Sequence, residues 1–187
     1  MSLTKTKKRW CGLFSQTGGE ICSISNYLKR SPDLVITDNP DPQTYDKRVT
    51  ELHNVQYHEY KSLDRASKIN YYRTLLQGYD IITLHGWLNI VPAEICAEFE
   101  IYNGHPGLIN TYPELRGKDP QIRTWENISN YPMIGSVIHR VTEEVDGGEI
   151  LAFSETPSGD CKSVDDVFSA LRTTSHVSWT RFLQTLI

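Results

Sequence analysis

The sequence has little that would mark a membrane, secreted, metal-binding or nucleic-acid-binding protein. No apolar run approaches the ~18 residues needed to span a bilayer. The N-terminus lacks the apolar stretch of a secretion signal, and the four cysteines show no CxxC spacing. The net charge of −4 provides no excess of basic residues for nucleic acid. We therefore expect a cytoplasmic protein with no membrane, nucleic-acid or metal partner.

Two common catalytic motifs are also missing. There is no G-x-S-x-G segment, so the nucleophile of an α/β-hydrolase is not indicated. There is no G-x-x-x-x-G-K-[ST] phosphate loop either. Cys11 lies within a predicted strand, where a structural role is expected. The residues present favour a reaction that needs neither covalent catalysis nor a metal ion.

Short apolar runs alternate with amphipathic segments along almost the whole chain. The runs predict buried strands and the segments with helical spacing predict helices. We expect one α/β domain over residues 1–187, with a mostly parallel sheet covered by helices on both faces. Strands are predicted at 10–15, 34–37, 54–57, 79–84, 101–105, 133–141 and 149–154, and helices at 20–29, 64–77 and 92–99 and beginning at 119 and 163.

Ligands of such sheets bind beyond the C-terminal ends of the strands, and the first strand ends in a glycine-containing turn. Thr17, Gly18 and Gly19 precede a helix, so their backbone N–H groups could face an anion. Glu20, however, places a carboxylate where a phosphate would bind. A tight turn with a glutamate at the helix start is the alternative interpretation.

A second strand end carries the segment 85–92, which contains Gly86 and Trp87. Glycine permits close approach of the backbone, and the indole offers a flat apolar surface. A planar ligand could lie here with its polar edge on backbone groups. The alternative is an ordinary loop with a packed tryptophan.

The third strand end carries the strongest functional signal. Asn103 and His105 are two residues apart in a strand, so both side chains project from the same face. An amide donor beside an imidazole suits a reaction that builds negative charge on a carbonyl oxygen. Asp146, in the acidic turn 143–148, could orient the imidazole and stabilise its charged form.

These segments resemble those of the folate-dependent formyltransferases. The run 101–108, IYNGHPGL, is similar to the N-x-H-P-S-L segment of that family, and 145–150, VDGGEI, is similar to its V-D-x-G block. The resemblance implies a Rossmann-like formyltransferase domain in which Asn103 and His105 bind the oxygen of the reacting carbonyl and Asp146 pairs with His105. It further implies that 10-formyltetrahydrofolate is held by Trp87, Leu88, Asn89, Ile90, Val91, Val141, Glu143, Glu144 and Val145, and the amine substrate by Thr17, Gly18, Gly19, Glu20 and Gly107.

The length of the chain resembles the purine-synthesis branch of the family, whose formyl acceptor is glycinamide ribonucleotide. Glu20 and the segment 112–121 depart from that branch, and Gly107 replaces the usual serine. Another amine, such as an amino sugar nucleotide, is therefore an alternative acceptor. Hydrolysis of formyltetrahydrofolate is a second alternative, although the related deformylases carry an N-terminal domain that we do not expect here. A folate- or nucleotide-binding protein without turnover is a third, and the oligomeric state stays open.

Overall fold

A computed structural model describes residues 7–187, which form a seven-stranded sheet with the strand order β3-β2-β1-β4-β5-β6-β7. Strands β1 to β5 run parallel, whereas β6 and β7 pair antiparallel at one side. The strands are β1 (Trp10–Phe14), β2 (Leu34–Thr37), β3 (Val55–Tyr57), β4 (Ile81–Leu84), β5 (Ile101–His105), β6 (Met133–Arg140) and β7 (Ile150–Pro157).

Five α-helices connect these strands or cover the sheet. They are α1 (Gly19–Leu28), α2 (Arg65–Leu76), α3 (Ala93–Glu98), α4 (Pro120–Glu126) and α5 (Val164–Leu186). Helix α5 begins where the sequence predicts a helix, directly after Ser163, whose side chain caps it by accepting a hydrogen bond from the Asp166 N–H. Helix α4 begins at Pro120, one residue after the predicted start at 119; Asp119 has a positive φ of 53° and makes no capping hydrogen bond with its side chain.

The central strands are mostly apolar because both faces of the sheet are covered. Trp10 and Phe14 pack on the side of α1 and α5, whereas Leu13 packs with Leu76 of α2 and Ile95 of α3 on the other side. A strand buried on both faces reads as a continuous apolar run, which is what the sequence contains. The predicted α/β class, the mostly parallel sheet and the helices on both faces are confirmed, while the predicted span 1–187 includes six residues that lie outside the described part.

The strand order brings the three predicted strand ends to one edge. In the sheet, β2 and β3 lie on one side of β1, whereas β4, β5, β6 and β7 follow one another on its other side. The turn after β1 and the loop after β4 therefore leave the sheet at the point where the direction of winding reverses. Within residues 7–187, no helix combines the length and apolar character that crossing a membrane would require.

Candidate active site

Asn103, His105 and Asp146 meet at the C-terminal end of β5. Their meeting depends on the antiparallel pairing of β5 with β6, because β6 leads directly into the turn that carries Asp146. The carboxylate lies 3.3 Å from Nδ1 of His105, measured from Oδ2. Only 5% of the His105 side chain and 12% of the Asp146 side chain are exposed. The three residues predicted to be catalytic are thus brought together in a largely enclosed cluster.

A second imidazole, His139, belongs to the same cluster. It lies directly opposite Asn103 in the β5–β6 register, and Nδ2 of Asn103 is 3.1 Å from its Nε2. Nε2 of His139 is also 3.4 Å from Oδ1 of Asp146, so the carboxylate lies between two imidazoles. The β6–β7 pairing has a register irregularity at His139, of the kind that redirects side chains near functional sites. We had not predicted a role for His139, because the strand register cannot be read from the sequence.

The hydrogen-bond geometry limits where the protons of this cluster reside. Nδ1 of His139 is 2.9 Å from the carbonyl oxygen of Arg140, which can only accept, so Nδ1 donates. Nε2 of His139 then faces both the Asn103 amide and the Asp146 carboxylate. The second hydrogen of that amide group is left for a ligand, because the contacts of the described residues give the Asn103 side chain no other partner.

Both ring nitrogens of His105 face hydrogen-bond acceptors. Nε2 is 2.9 Å from the carbonyl oxygen of Leu115, and Nδ1 faces Asp146. A doubly protonated imidazolium satisfies both contacts. Burial alone would raise the pKa of Asp146, but hydrogen bonds from His105, His139 and the Gly117 N–H hold it well below its ordinary value. The cluster therefore keeps a carboxylate charged beside the imidazole.

The loop after β4 is anchored in the core by one buried side chain and exposes two apolar side chains to solvent. The Trp87 indole is only 7% exposed and donates to the Tyr72 hydroxyl at 2.9 Å, so its flat face is in the core. The expectation of a free aromatic surface is wrong, because the ring packs among buried tyrosines. Leu88 and Ile90 instead are 65% and 69% exposed.

Side-chain and backbone contacts fix this loop against the rest of the edge. The Ser15 hydroxyl accepts from the Leu88 N–H at 3.0 Å, and the buried Asp38 carboxylate accepts from the Asn89 amide at 2.8 Å. Val91 is buried and anchors the end of the loop. On the opposing acidic turn Val145 is 51% exposed, Glu143 and Glu144 are exposed, and Val141 is half-buried. Apolar side chains exposed on both segments suit an apolar, planar ligand.

A cavity of about 630 Å³ lies between the turn after β1, the ends of β4 and β5, and helices α4 and α5. It is lined by Thr17, Gly18, Gly19 and Glu20, which the family resemblance assigns to the amine substrate, and by Gly104 of β5. Gly107 does not line the cavity. It is buried, and a Cβ there would lie 3.3 Å from both the His105 ring and Leu115. The glycine at this position leaves room for the imidazole instead of touching the cavity.

The carboxylate of Glu20, at the start of α1, is hydrogen-bonded through both of its oxygens. Its Oε2 is 3.0 Å from Nδ1 of His85, and its Oε1 accepts from the Ser175 hydroxyl at 2.5 Å. Burial raises the pKa of Glu20, but the hydrogen bonds from His85 and Ser175 and the charges of His85 and His176 together outweigh burial, so the net pKa lies below the ordinary value. The Glu20 carboxylate is thus part of a hydrogen-bonded floor, an arrangement that neither of our sequence interpretations contained.

The rest of the cavity lining is mixed in charge. Asp46 and Arg48 form a close ion pair at 2.6 Å, and no ion pair of the described residues involves Arg172, which is exposed. His176, one helical turn after Arg172 on α5, has a buried Nε2 without a hydrogen-bond partner among residues 7–187. The lining therefore offers donors as well as acceptors to a polar substrate. In the described part of the chain, no group of three or more His, Cys, Asp or Glu side chains is arranged to hold a metal ion.

Comparison with known proteins agrees with this geometry. Residues 22–182 match the family model described as formyl transferase. A phosphoribosylglycinamide formyltransferase of Dictyostelium discoideum is 29% identical over 143 residues, which cover 73% of this chain and 57% of that protein. A mitochondrial formyltetrahydrofolate deformylase 2 of Arabidopsis thaliana is 25% identical over 132 residues, covering 70% of this chain and 35% of that protein. The chain thus spans little more than half, or less, of these curated relatives.

Solved structures of phosphoribosylglycinamide formyltransferases share the fold. That from Streptococcus pneumoniae has a TM-score of 0.83 at 20% identity, covering 96% of this chain and 99% of that one. That from Bacillus halodurans has a TM-score of 0.80 at 22% identity, covering 96% and 95%. The family model covers most of the residues that build the sheet edge, including Asn103, His105 and Asp146. The chain therefore belongs to the formyl transferase family.

Proposed function

We propose that this protein transfers a formyl group from 10-formyltetrahydrofolate to an amine, and that the amine is glycinamide ribonucleotide, an intermediate of purine biosynthesis. The observation that carries the proposal is the enclosed cluster of an amide, an imidazole and a carboxylate between an apolar loop and a polar cavity. The names of the relatives indicate the acceptor. We further propose that the protein acts in the cytoplasm, as part of one-carbon metabolism, and that no metal ion takes part in the reaction.

The residues of the cluster have complementary tasks in such a transfer. The donor supplies a formyl carbon whose oxygen gains negative charge as the amine attacks. The free amide hydrogen of Asn103 and the Nε2 proton of His105 stabilise that charge. Asp146 keeps the imidazole oriented and charged through the contact with Nδ1. As the intermediate collapses, the bond between the formyl carbon and the nitrogen of the donor breaks. The carboxylate–imidazole pair can pass the proton lost by the amine to that nitrogen, which leaves as part of tetrahydrofolate.

The donor is proposed to lie between the loop after β4 and the acidic turn. Leu88, Ile90 and Val145 offer apolar contacts, and the backbone from Trp87 to Val91 offers hydrogen bonds to the polar edge of a pterin. Trp87 does not contact the donor with its indole, which is buried, but supports the loop that does. A reduced pterin has a polar edge and apolar faces, so it can bond to the polar backbone groups and contact the exposed apolar side chains at the same time.

The acceptor is proposed to occupy the cavity on the other side of the cluster. A phosphate there would meet the N–H groups at the start of α1 and the exposed guanidinium of Arg172. Glu20 opposes such a phosphate less than a free carboxylate would, because His85 and Ser175 bind both of its oxygens. Thr17, Gly18 and Gly19 are the residues that we assign to this contact.

The test is an assay of tetrahydrofolate release from 10-formyltetrahydrofolate, with and without glycinamide ribonucleotide. Release that requires this amine supports the proposal. The variant His105→Ala should lose about 10²- to 10³-fold in kcat, while the Kd for a folate analogue stays within threefold. Turnover of His105→Ala within threefold of the wild type would disprove the role of His105. Release that requires a different amine would show that the acceptor is not glycinamide ribonucleotide, and would leave the assignment of the donor unchanged.

Hydrolysis of formyltetrahydrofolate is the second candidate, favoured by the likeness to the Arabidopsis deformylase. The same three residues could activate water in place of an amine. The cavity of about 630 Å³ argues for a larger acceptor, since water needs no such space. Formate release that is independent of any amine, at a rate equal to the highest rate with amines, would establish the hydrolase.

A further inference from the structure

The segment Tyr112 to Gln121, which departs from the pattern of the purine-synthesis branch, binds two residues of the cluster through its backbone. The carbonyl oxygen of Leu115 is 2.9 Å from Nε2 of His105. The N–H of Gly117 donates to Oδ2 of Asp146 at 2.8 Å. This segment therefore contacts the imidazole and its carboxylate at the same time, on atoms that the proposed reaction uses.

One side chain fixes this piece of backbone. Arg123, on α4, donates to the carbonyl oxygens of Leu115 at 3.0 Å and of Arg116 at 2.8 Å, and also to that of Glu114. The Leu115 side chain is 2% exposed and anchors the segment in the core. A planar guanidinium with several donors is suited to hold consecutive carbonyl groups in one arrangement.

The Leu115 oxygen thus accepts from two donors at once. The two donor atoms, Nη2 of Arg123 and Nε2 of His105, lie 3.0 Å and 2.9 Å from it, so they are at most 5.9 Å apart. A positive charge at this separation disfavours a second positive charge on the imidazole. The guanidinium also occupies part of the acceptor capacity of the oxygen, which weakens its hold on the Nε2 proton.

These contacts matter because Nε2 of His105 has two possible partners. In the structure it faces Leu115, whereas in the proposed transfer it must stabilise the oxygen of the formyl group. A carbonyl that holds the proton too strongly would compete with the substrate, and an unfixed carbonyl would let the ring turn away. Arg123 limits both effects while not lining the substrate cavity.

We propose that Arg123 is a positioning residue of this site, which holds the Leu115 carbonyl against His105 and thereby sets how the imidazole presents its Nε2 proton. The inference rests on the proposed formyl transfer for its kinetic consequence, but not for its consequence on the imidazole itself. The titratable or charged groups around His105 in this cluster are Asp146, from the turn after β6, His139, from β6, and Arg123, from α4.

The experiment compares Arg123→Gln, Arg123→Lys and Arg73→Gln with the wild type. Arg73 pairs with the exposed Glu98 on the surface and serves as the matched control. We expect Arg123→Gln to lose at least tenfold in kcat with less than a threefold change in the KM for 10-formyltetrahydrofolate. Arg123→Lys, which keeps the charge, should recover part of the loss, and Arg73→Gln should match the wild type.

A second readout follows the His105 ring by ¹⁵N NMR across pH, with the signal assigned by its loss in His105→Asn. Without the guanidinium the ring should stay protonated to higher pH than in the wild type, because a nearby cation is gone and Leu115 accepts from one donor only. An unchanged titration in both Arg123 variants would overturn the inference, as would a kcat of Arg123→Gln within threefold of the wild type. If the wild type transfers no formyl group, the proposed function fails, and the NMR titration still decides this inference.

Discussion

Replacing Asp146 by asparagine removes one negative charge from the cluster and little else. Asp146 has a φ of 52°, in the left-handed region that asparagine adopts as readily as aspartate. The amide oxygen of the new side chain can still accept from the Gly117 N–H, which bonds to Oδ2 at 2.8 Å. We therefore expect the turn to keep its shape, so that a change in activity reports on the charge.

The separation of the charges sets the size of the effect. Coulomb's law gives ~5 kcal/mol for unit charges 3.3 Å apart at an effective dielectric constant of ~20. His139 shares the carboxylate, with 3.4 Å between Nε2 and Oδ1, and 12% of the Asp146 side chain remains exposed. Part of the attraction is therefore lost to this second partner and to solvent. We expect a loss of roughly 3–4 kcal/mol in the transition state, or about 10²- to 10³-fold in kcat.

The pH dependence follows from the same charge. Hydrogen bonds from the two imidazoles hold the pKa of Asp146 below its ordinary value of 3.8, in spite of burial, so the carboxylate is ionised throughout a neutral assay. Its removal makes the protonated His105 ring less stable, and the limb of the profile that needs this proton should move to lower pH. A depressed carboxyl pKa also stabilises the fold above pH 3.8 and ceases to do so as the pH falls, so Asp146→Asn should unfold with a weaker acid dependence.

The assay is steady-state kcat with 10-formyltetrahydrofolate and glycinamide ribonucleotide, measured from pH 5 to pH 9 for the wild type, Asp146→Asn and Glu149→Gln. Glu149 is exposed just beyond the turn and controls for the loss of a surface charge. Circular dichroism and the Kd for a folate analogue check the fold and the donor site. An unchanged pH profile with kcat within threefold of the wild type, in a folded variant, would refute the pairing of Asp146 with His105.

Three further changes test other parts of the site. Trp87→Leu should destabilise the protein by about 2–4 kcal/mol in urea unfolding and raise the KM for the donor, because the buried indole supports the loop; unchanged stability would contradict its place in the core. Glu20→Gln should lower the KM for glycinamide ribonucleotide about threefold, since it removes a like charge from a phosphate site; a higher KM would instead mean that the acceptor uses the carboxylate. The Arg48 guanidinium lowers the pKa of Asp46 to about 2, so Asp46→Asn should remove about 1–2 kcal/mol of stability above pH 3.8 that the wild type loses only as the pH falls toward 2. Equal acid unfolding curves for Asp46→Asn and the wild type would contradict that pairing.

The parts of the fold that depend on local pattern could be predicted from the sequence. Buried strands such as Leu34–Thr37 are short runs of apolar residues, and Ser163 begins its helix with the capping interaction expected of a serine. The joint placement of Asn103 and His105 follows from the two-residue period of a strand, which needs no tertiary information. Asp146 was a candidate because it lies in an acidic turn, and the family resemblance implied its pairing with His105, which lies 41 positions earlier in the chain.

The parts that depend on tertiary contacts could not be predicted. His139 joins the site only because the β5–β6 register sets it opposite Asn103, and a shift of one residue would turn it to the other face. Trp87 looked like a ligand surface because an aromatic residue in a loop gives no sign of what covers it. Glu20 was assigned a repulsive role, since its partners His85 and Ser175 come from distant segments. The contact of Leu115 with His105 uses a backbone oxygen, which no pattern of side chains reveals.

The acidic turn shows how a short motif places a catalytic group. Gly148 is required by close packing, because a Cβ there would lie 1.9 Å from the carbonyl oxygen of Arg140, and a Cβ on Gly147 would lie 2.3 Å from the Glu144 side chain. The two glycines let the chain return tightly against the end of β6, and Asp146 before them lies in the left-handed region with a φ of 52°, where an aspartate costs less than the ~1–2 kcal/mol of most residues. Three hydrogen-bond donors around the Asp146 carboxylate, from His105, His139 and Gly117, offset that cost. The aspartate is thus held in a left-handed backbone position by the same contacts that let it act on the imidazole. An alanine at this position would lose those contacts, and nothing would then offset the cost of the turn.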